Sequence, residues 1–306
     1  MKERIIIGSR KSKLALIQAQ EVIDALRSVY PKLSFEITTV KTAGDRDRKT
    51  SLKVLGGKGI FVKELEEALL RREIDIAVHS LKDMPTDIPA GLKLAAVTRR
   101  LDPRDVLVSA SGVSLSKLPS GSRIGTGSQR RAVQLMNHRR DVVVADIRGN
   151  IDTRLRKCFC NEFEGVLVAS AALLRMKLED KITEYLPLDT FVPAVGQGAL
   201  GIEVRDNDKL ANEIVAPLNH DGSWREVTAE RSFLKALGGG CREPIAALAV
   251  IKGTSLRIRG MVANSTTFEV MYADVKSSSS EAEQLGIHLA QKMVKLGAEM
   301  LIGRKC

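Results

Sequence analysis

Short apolar runs alternate with segments of helical periodicity through the first two thirds of the chain. Ile5–Ile7 and Ile74–Val78 are rich in β-branched residues, which predicts buried strands. Residues 12–27 and 61–72 place apolar side chains at helical spacing, which predicts two amphipathic helices, the first capped by Ser12. Buried strands that alternate with helices are typical of parallel sheets covered on both faces. The pattern therefore predicts an α/β fold.

The pattern restarts after Pro103 and changes in character after residue 218. Between these points, strands are predicted at 105–109, 123–125, 141–147 and 165–169, with helices at 129–137 and 150–157. The last part predicts a helix at 225–237, strands at 245–251, 255–263 and 267–275, and a helix at 280–296. The sequence thus predicts three domains, two of them α/β and the third a small α+β unit.

Composition limits the compartment in which such a protein works. The 306 residues include only four cysteines, too few for a secreted fold stabilised by disulfides. The first residues lack the apolar core of a signal peptide, and no apolar run approaches the roughly 20 residues that span a bilayer. We therefore expect a cytoplasmic protein with reduced thiols.

Charge raises the question of an anionic partner. The chain has 48 Lys and Arg against 37 Asp and Glu, a net charge of +11. Nucleic-acid binders that stack bases need aromatic side chains, yet there are only 7 Phe, 3 Tyr and 1 Trp. The longest purely basic runs are pairs, which disfavours a membrane-binding patch. An anionic small molecule and a merely solvated basic surface stay open.

Two glycine-rich segments resemble nucleotide-binding motifs only superficially. Residues 196–201 match G-x-G-x-x-G, but a strand-like run, Leu200–Val204, stands where pyrophosphate binding needs a helix N-terminus. We interpret this segment as a flexible connection between domains. Residues 55–59 lack the first glycine and the Ser or Thr of a P-loop, and are interpreted as a mobile loop that carries one lysine.

A polar cluster follows the predicted strand that ends near Val78. Ser80, Lys82 and Asp83 stand at the carboxyl end of this strand, just before Pro85, and open α/β sheets place ligands at such ends. A carboxylate beside a lysine can hold a cationic intermediate or transfer protons. The alternative is a capped turn with a salt bridge.

The strongest charge signal lies in residues 121–157, where nine Lys and Arg oppose three Asp. Thr126, Ser128, Arg130 and Arg131 lie at a turn that opens one predicted helix, and Arg148, Asn150 and Arg154 lie at another. Arginine suits bidentate recognition of carboxylate or phosphate, and helix N-termini add backbone donors. These residues predict a polyanion pocket, with a solvated basic face as the alternative.

One cysteine stands apart from the other three. Cys241 follows three glycines, which allow the backbone to approach a bulky group, and its accessible thiol can bond to a carbon electrophile. An ordinary loop cysteine is the alternative. Cys158 and Cys160 lack a partner pair and the four histidines are dispersed, so no metal site is predicted. No role is assigned to Cys158, Cys160 or Cys306.

Taken together, these motifs resemble the porphobilinogen deaminase, or hydroxymethylbilane synthase, family over nearly the whole chain. The matching segments are GSRKSKLALIQAQ at 8–20, GGKGIFVKELEEALL at 56–70, DIAVHSLKDMP at 75–85, DPRD at 102–105, GTGSQRR at 125–131, RGNIDTR at 148–154, PAVGQGALGIE at 193–203 and TAERSFLKALGGGCREPIAA at 228–247.

This resemblance implies a specific architecture. It implies two periplasmic-binding-protein-like α/β domains with mixed, mainly parallel sheets, and a small C-terminal α+β domain. Domain 1 would comprise residues 1–99 and 196–218, with domain 2, residues 100–195, inserted into it. Domain 3 would comprise residues 219–306 and carry the cofactor cysteine.

The resemblance also implies a reaction. The family joins four porphobilinogen molecules head to tail, releases ammonia each time, and hydrolyses off hydroxymethylbilane for tetrapyrrole and haem synthesis. A dipyrromethane cofactor would be bound to Cys241 through a thioether. The family also implies a cytoplasmic monomer with no nucleic-acid or membrane partner. The alternative is a non-catalytic anion-binding protein of the same two-domain fold, which leaves the third domain and Cys241 unexplained.

Individual roles follow from the matched motifs. Asp83 would be the catalytic residue. The cofactor would be held by Ser80, Lys82, Thr126, Ser128, Arg130, Arg131 and the covalent Cys241. Substrate or the growing chain would be bound by Arg10, Ser12, Lys58, Phe61, Arg148, Arg154 and Arg175. Two positions depart from the family: Lys13 replaces a common proline, and Val54 stands where some relatives have lysine, which leaves the loop's charge contacts open and Lys53 without a role.

Overall fold

The structure is a computed structural model, and it describes residues 4–42, 62–240 and 243–303. The strands are β1 Arg4–Arg10, β2 Ser34–Val40, β3 Ile76–Ser80, β4 Leu92–Val97, β5 Asp105–Ser109, β6 Arg123–Gly125, β7 Val143–Ala145, β8 Gly165–Ala169, β9 Glu184–Tyr185, β10 Leu200–Arg205, β11 Ile245–Lys252, β12 Ser255–Ala263 and β13 Val270–Ser278. The helices are α1 Lys13–Val29, α2 Lys63–Leu70, α3 Gln129–His138, α4 Ile151–Phe159, α5 Ser170–Arg175, α6 Lys209–Val215, α7 Asp221–Ala236, α8 Ala282–Lys295 and α9 Ala298–Leu301.

The strands of the described residues form three sheets. The first has the order β2-β1-β3-β10-β4 and the second β7-β6-β8-β5-β9. In each, one strand runs against the other four: β10 is antiparallel to β3 and β4, and β5 is antiparallel to β8 and β9. These topologies confirm an α/β fold with mixed, mainly parallel sheets.

Helices cover both faces of the first sheet. On one face α1 buries Ala19, Val22, Ile23 and Leu26 against Ile5 and other strand residues. On the other, α2 buries Leu65 and Leu69 against Ile74, Ala77 and Leu92. The side chain of Ser12 caps α1 by accepting a hydrogen bond from the Ala15 amide, as predicted. The packing of α1 and α2 on the two faces of the sheet thus holds the carboxyl ends of β1 and β3 together at one edge.

Two chain segments cross between the first and second sheets, residues 98–104 and 186–199. They run side by side: the Leu101 amide donates to the Gly198 carbonyl at 3.3 Å, and the Thr98 amide donates to the Leu200 carbonyl at 3.1 Å. Gly198 has φ +100°, and a Cβ there would lie 2.4 Å from the Leu101 oxygen. The G-x-G-x-x-G segment therefore ends one connection between the two sheets and enters β10, and its glycines serve close packing, where the sequence predicts a flexible connection between domains.

The third sheet, β11-β12-β13, is antiparallel and forms its own core with α7 and α8. Its third strand begins at Val270, not at residue 267 as predicted. The Asn264 side chain accepts hydrogen bonds from the Thr266 and Thr267 amides, which closes a turn there. This observation confirms a small C-terminal α+β unit, whereas the residue limits of the three domains stay a prediction.

The apolar pattern did not predict several elements. Strand β4 contains two alanines, which have low strand propensity, and α5 has only six residues. Pairing with β10 makes β4 a strand, so its identity depends on a distant segment. No helix within the described ranges is long and apolar enough to cross a membrane.

Candidate active site

A cleft of about 1890 Å³ lies where the three units meet. It is lined by the β1–α1 junction and the β3 end from the first sheet, by the N-terminal turns of α3 and α4 from the second, and by residues 238–240, 243 and 244 from the third. Among its described lining residues, ten are Lys or Arg and two are Asp or Glu. The basic excess of the sequence is therefore concentrated around one cavity, as the polyanion-pocket interpretation requires.

Asp83 lines this cleft at the end of a 3-10 turn, Leu81–Asp83, that continues β3. The Leu81 amide donates to the Ala199 carbonyl at 3.1 Å, which ties the turn to the crossing segment. Leu81 also packs on Gly196 and Gly201, where a Cβ would lie 3.0 Å and 2.8 Å from its side-chain carbons. Gly196 in the crossing segment and Gly201 in β10 therefore fix the turn that carries Asp83.

Lys82 is the central residue of this turn, and its side chain is half-buried. Its Nζ donates to Gln197 Oε1 at 3.0 Å. Burial, and then the positive charge of Arg131, lower the pKa of Lys82 to about 8, while Asp83 and Asp105 act in the opposite direction. The Lys82 ammonium can therefore lose its proton at a pH that is only slightly above neutral.

Arg130 and Arg131 line the cleft but bind a buried carboxylate of the protein. Asp105 Oδ2 accepts from Arg130 Nη1 at 2.6 Å, and Oδ1 accepts from Arg131 Nη2 at 2.8 Å. Both guanidinium groups hold the pKa of Asp105 far below its usual range despite the cost of burial. The sequence predicts these arginines as ligands for a polyanion. The structure shows that both also bind Asp105, a partner within the protein.

The predicted hydroxyl ligands have local partners. Ser80 Oγ lies 2.9 Å from Gln18 Nε2 and 3.1 Å from Gln18 Oε1, which ties the β3 end to α1. Thr126 Oγ1 accepts from the Ser128 amide at 3.2 Å. Ser80 and Ser128 line the cleft, while Thr126 is not among its described lining residues.

The predicted substrate residues are divided between two places. Arg10, Ser12, Arg148 and Arg154 line the cleft. The Arg154 Nε donates to the Gly149 carbonyl, and burial followed by the charges of Arg131 and Arg148 lowers its pKa to about 10. These residues converge on the cleft from the first and second sheets.

Arg175 lies elsewhere. Its Nε donates to Glu21 Oε2 at 2.7 Å, its Nη1 donates to the Gly198 carbonyl at 3.2 Å, and it is not among the described residues that line the cleft. In this conformation Arg175 joins α5 to α1 and to a crossing segment. Its partners are thus part of the protein, where the family resemblance predicts a bound substrate.

Three predicted site residues, Cys241, Lys58 and Phe61, lie outside the described residues. The nearest described residues on either side of Cys241, Gly240 and Glu243, line the cleft. The loop that carries the predicted cofactor cysteine thus begins and ends at the cavity that contains Asp83.

Sequence reasoning missed three polar residues that organise this region: Asp105, Gln197 and Glu230. Asp105 stands in the quoted DPRD motif, but one acidic residue before an apolar run gives no sign of a buried partner. Gln197 and Glu230 likewise stand in matched motifs without a periodicity that marks them as buried. Their burial depends on chain crossings that bring distant segments together.

A second group of buried titratable side chains lies on the helix α2 side of β3. His79 Nε2 is 2.9 Å from Glu203 Oε2, and these side chains are 3% and 0% exposed. Burial first, and then the charge of Glu203, raise the pKa of Glu66 in α2 to about 7, with His79 acting in the opposite direction. Glu66 is therefore largely protonated below neutral pH in the folded protein.

Replacing Glu66 by Gln should make the protein more stable than the wild type by an amount that grows between pH 5 and pH 8. The folded protein retains the Glu66 proton up to about pH 7, whereas the ordinary pKa is 4.5, so the wild type loses stability as pH rises through this window. Gln stays neutral throughout. Urea unfolding at both pH values measures the difference, and Glu67→Gln, at a half-exposed neighbour, is the matched control. A Glu66→Gln difference that is constant with pH would contradict the assignment.

Comparison with known proteins identifies the family. The family model described as porphobilinogen deaminase, dipyromethane cofactor binding domain, matches residues 5–213, and the model of the porphobilinogen deaminase C-terminal domain matches residues 224–295. Among solved structures, the chain is similar to the methionine binding protein MetQ, with a TM-score of 0.46 and 12% identity, covering 74% of this chain and 91% of that chain.

Curated relatives match over nearly the full length. The chain is 45% identical to the porphobilinogen deaminase of Syntrophus aciditrophicus over 296 residues, which cover 97% of each chain. It is 44% identical to that of Pelotomaculum thermopropionicum, covering 99% of this chain and 97% of that one, and 43% identical to that of Thermus thermophilus, covering 98% of each. The basic cleft around Asp83 is thus found in a chain that belongs to the porphobilinogen deaminase family, transferases of tetrapyrrole synthesis that hold a dipyrromethane cofactor.

Proposed function

We propose that this chain is a hydroxymethylbilane synthase that joins four porphobilinogen molecules head to tail and releases ammonia at each step. One observation carries the proposal: Asp83 lies on a packed turn in a cleft that has ten basic side chains among its described lining residues, and Gly240 and Glu243, which flank the Cys241 loop, line the same cleft. Each pyrrole of the substrate carries an acetate and a propionate, so the growing chain is a polycarboxylate. A basic cavity that also contains the Asp83 carboxylate matches this chemistry.

The residues present fit a dipyrromethane cofactor. Lys82, Arg131, Arg148 and Arg154 are cationic groups that reach one cavity, and carboxylates are the groups on the cofactor that they would hold. Ser128 stands at the N-terminus of α3, where backbone amides add further donors. When bound, the cofactor supplies the pyrrole carbon to which the first substrate is joined. We propose Cys241 as its point of attachment.

Asp83 is proposed as the catalytic residue. Loss of ammonia from porphobilinogen leaves positive charge on the pyrrole, which a carboxylate close to the ring nitrogen stabilises. After the new carbon–carbon bond forms, a ring proton must leave, and a fixed carboxylate can accept it. The packing of Leu81 on Gly196 and Gly201 holds the turn, so Asp83 is held in place before substrate binds.

We also propose, from the family resemblance, that the protein acts as a cytoplasmic monomer with porphobilinogen as its substrate. Light scattering during size-exclusion chromatography tests the oligomeric state. A mass near 33.4 kDa is the expected result, and twice that value would contradict it.

Intact-protein mass spectrometry tests the proposed function and its cofactor. The purified wild type should exceed its sequence mass by two linked pyrrole units and should release ammonia from porphobilinogen. Cys241→Ser should lack both the added mass and the turnover, because a hydroxyl is a much weaker nucleophile than a thiolate. Cys160→Ser, at an exposed cysteine, is the matched control and should retain both. An unmodified wild type that binds porphobilinogen without consuming it would favour the anion-binding alternative.

A further inference from the structure

We propose that Asp105 is a positioning residue for this site: one buried carboxylate orients Arg131 directly and Lys82 through Gln197. The inference rests on the proposed function, since it concerns how the cationic groups of the cleft are arranged. It assigns a role to two residues, Asp105 and Gln197, that do not themselves have to touch the substrate.

Asp105 gathers hydrogen-bond donors from three side chains. Its carboxylate is fully buried at the start of β5. Oδ2 accepts from Arg130 Nη1, and Oδ1 accepts from Arg130 Nη2 at 3.2 Å, Arg131 Nε at 3.0 Å, Arg131 Nη2 at 2.8 Å and Gln197 Nε2 at 2.9 Å. A buried carboxylate with this many donors stays ionised and has one orientation.

Two arginines and one carboxylate leave one net positive charge in the group. Arg130 donates to Asp105 with both terminal nitrogens, and its Nη1 also donates to the Val192 carbonyl at 2.7 Å. Arg131 donates to the Leu167 carbonyl through Nη1 at 3.1 Å and is oriented by two bonds to Asp105 Oδ1. We infer that Arg130 affects the cleft by offsetting the negative charge of Asp105, and that Arg131 supplies the one net positive charge of the group.

Gln197 passes this orientation on to Lys82. Its Nε2 donates to the Pro103 carbonyl at 2.7 Å and to Asp105 Oδ1 at 2.9 Å. Two acceptors on one end of the amide fix the direction of the group, so Oε1 must point the other way. There it accepts from Lys82 Nζ at 3.0 Å and lies 3.5 Å from Arg131 Nη2. The negative charge of Asp105 thus sets which end of Gln197 faces the cations.

The network also joins the parts of the fold that form the cleft. Pro103 belongs to the segment that leaves the first sheet, Asp105 directly follows it as the first residue of β5, and Gln197 belongs to the segment that returns. Lys82 follows β3 of the first sheet, and Arg131 lies in α3 beside the second. A shift of either crossing segment would therefore move two cationic groups at once, and misplacement of a catalytic group by about 1 Å costs roughly 100-fold in rate.

Two variants test the proposal with a matched control. Asp105→Asn removes the charge but leaves two buried arginines without a counterion, and its folding is at risk. Gln197→Met keeps the Asp105–arginine contacts and removes the amide's bonds to Lys82, Asp105 and the Pro103 carbonyl. Asp141→Asn is the control, because Asp141 forms a bidentate pair with Arg139 at the far, exposed end of α3.

Gln197→Met should remain folded at the assay temperature, carry the two-pyrrole mass, and show kcat reduced about 100-fold. The alkaline limb of its pH–rate profile should move to lower pH, because the Lys82 ammonium loses an acceptor. Asp105→Asn, where it folds, should in addition be purified largely without the added mass. A Gln197→Met enzyme with wild-type kcat and an unmoved alkaline limb would overturn the proposal. Failure of the wild type and Asp141→Asn to turn over porphobilinogen would instead refute the proposed function.

Discussion

Replacing Asp83 by Asn is expected to lower kcat by about 10²- to 10⁴-fold, the range that general acid–base groups contribute. The amide has nearly the same shape but neither stabilises positive charge on a pyrrole nor accepts its proton. The turn that holds residue 83 depends on Leu81 and the glycines beneath it, so the fold should persist. Hydroxymethylbilane formation, normalised to the protein that carries the two-pyrrole mass, is the measurement.

A control for this prediction lies four residues away. Asp87→Asn changes a carboxylate that is 60% exposed and pairs with Lys235, away from the cleft. It should leave kcat within about twofold, since exposed ion pairs contribute little. Near-normal consumption of porphobilinogen by Asp83→Asn would refute the catalytic role of Asp83.

Replacing Glu230 by Gln is expected to lower the free energy of unfolding by about 3–5 kcal/mol, as removal of one partner from a buried ion pair does. Glu230 in α7 is fully buried and accepts from Arg100 Nη1 at 2.6 Å, Arg100 Nη2 at 3.0 Å, the Gly196 amide at 2.7 Å and the Ala249 amide at 2.8 Å. The variant leaves the buried Arg100 charge without its main counterion. The more distant Glu226, 3.9 Å from Arg100, offsets part of the loss.

Guanidinium unfolding of the full chain measures this effect. Asp87→Asn again supplies the comparison, because its pair with Lys235 also joins α7 to the first unit but is exposed, and its loss should cost about 1 kcal/mol or less. Since Glu230 also fixes the Gly196 amide beneath Leu81, Glu230→Gln should reduce activity in the folded fraction as well. Equal destabilisation by the two variants would contradict a special role for the buried pair.

Local patterns predicted those elements whose identity depends on nearby residues. The strands at 105–109, 123–125 and 165–169 have the predicted limits, because β-branched residues flanked by polar turns specify a buried strand. The helix after Ser12 and the helix after Asn150 begin where a capping side chain accepts a backbone amide. β4 and α5 were not predicted, because neither segment has a strong local sequence signal.

The position of Asp83 was also predictable, since a polar cluster after a buried strand belongs at the ligand-binding edge of an α/β sheet. The direction of β5 and β10 was not predictable from local patterning. Each follows a segment that crosses between sheets, and each enters its sheet antiparallel to the other strands. That reversal places the glycines at 196 and 201 under the Asp83 turn.

The sequence by itself determined the α/β class, the family, the excess of arginine and the residues available for chemistry. These follow from local spacing, composition and the order of motifs. Only the tertiary structure decided which cations face the cleft and which bind the protein's own carboxylates: Arg131 and Lys82 are arranged around Asp105 and Gln197, whereas Arg175 pairs with Glu21. The physical reason is that a buried charge is stable only beside its counterion. In this chain, such partners are brought together by two crossing segments far apart in sequence.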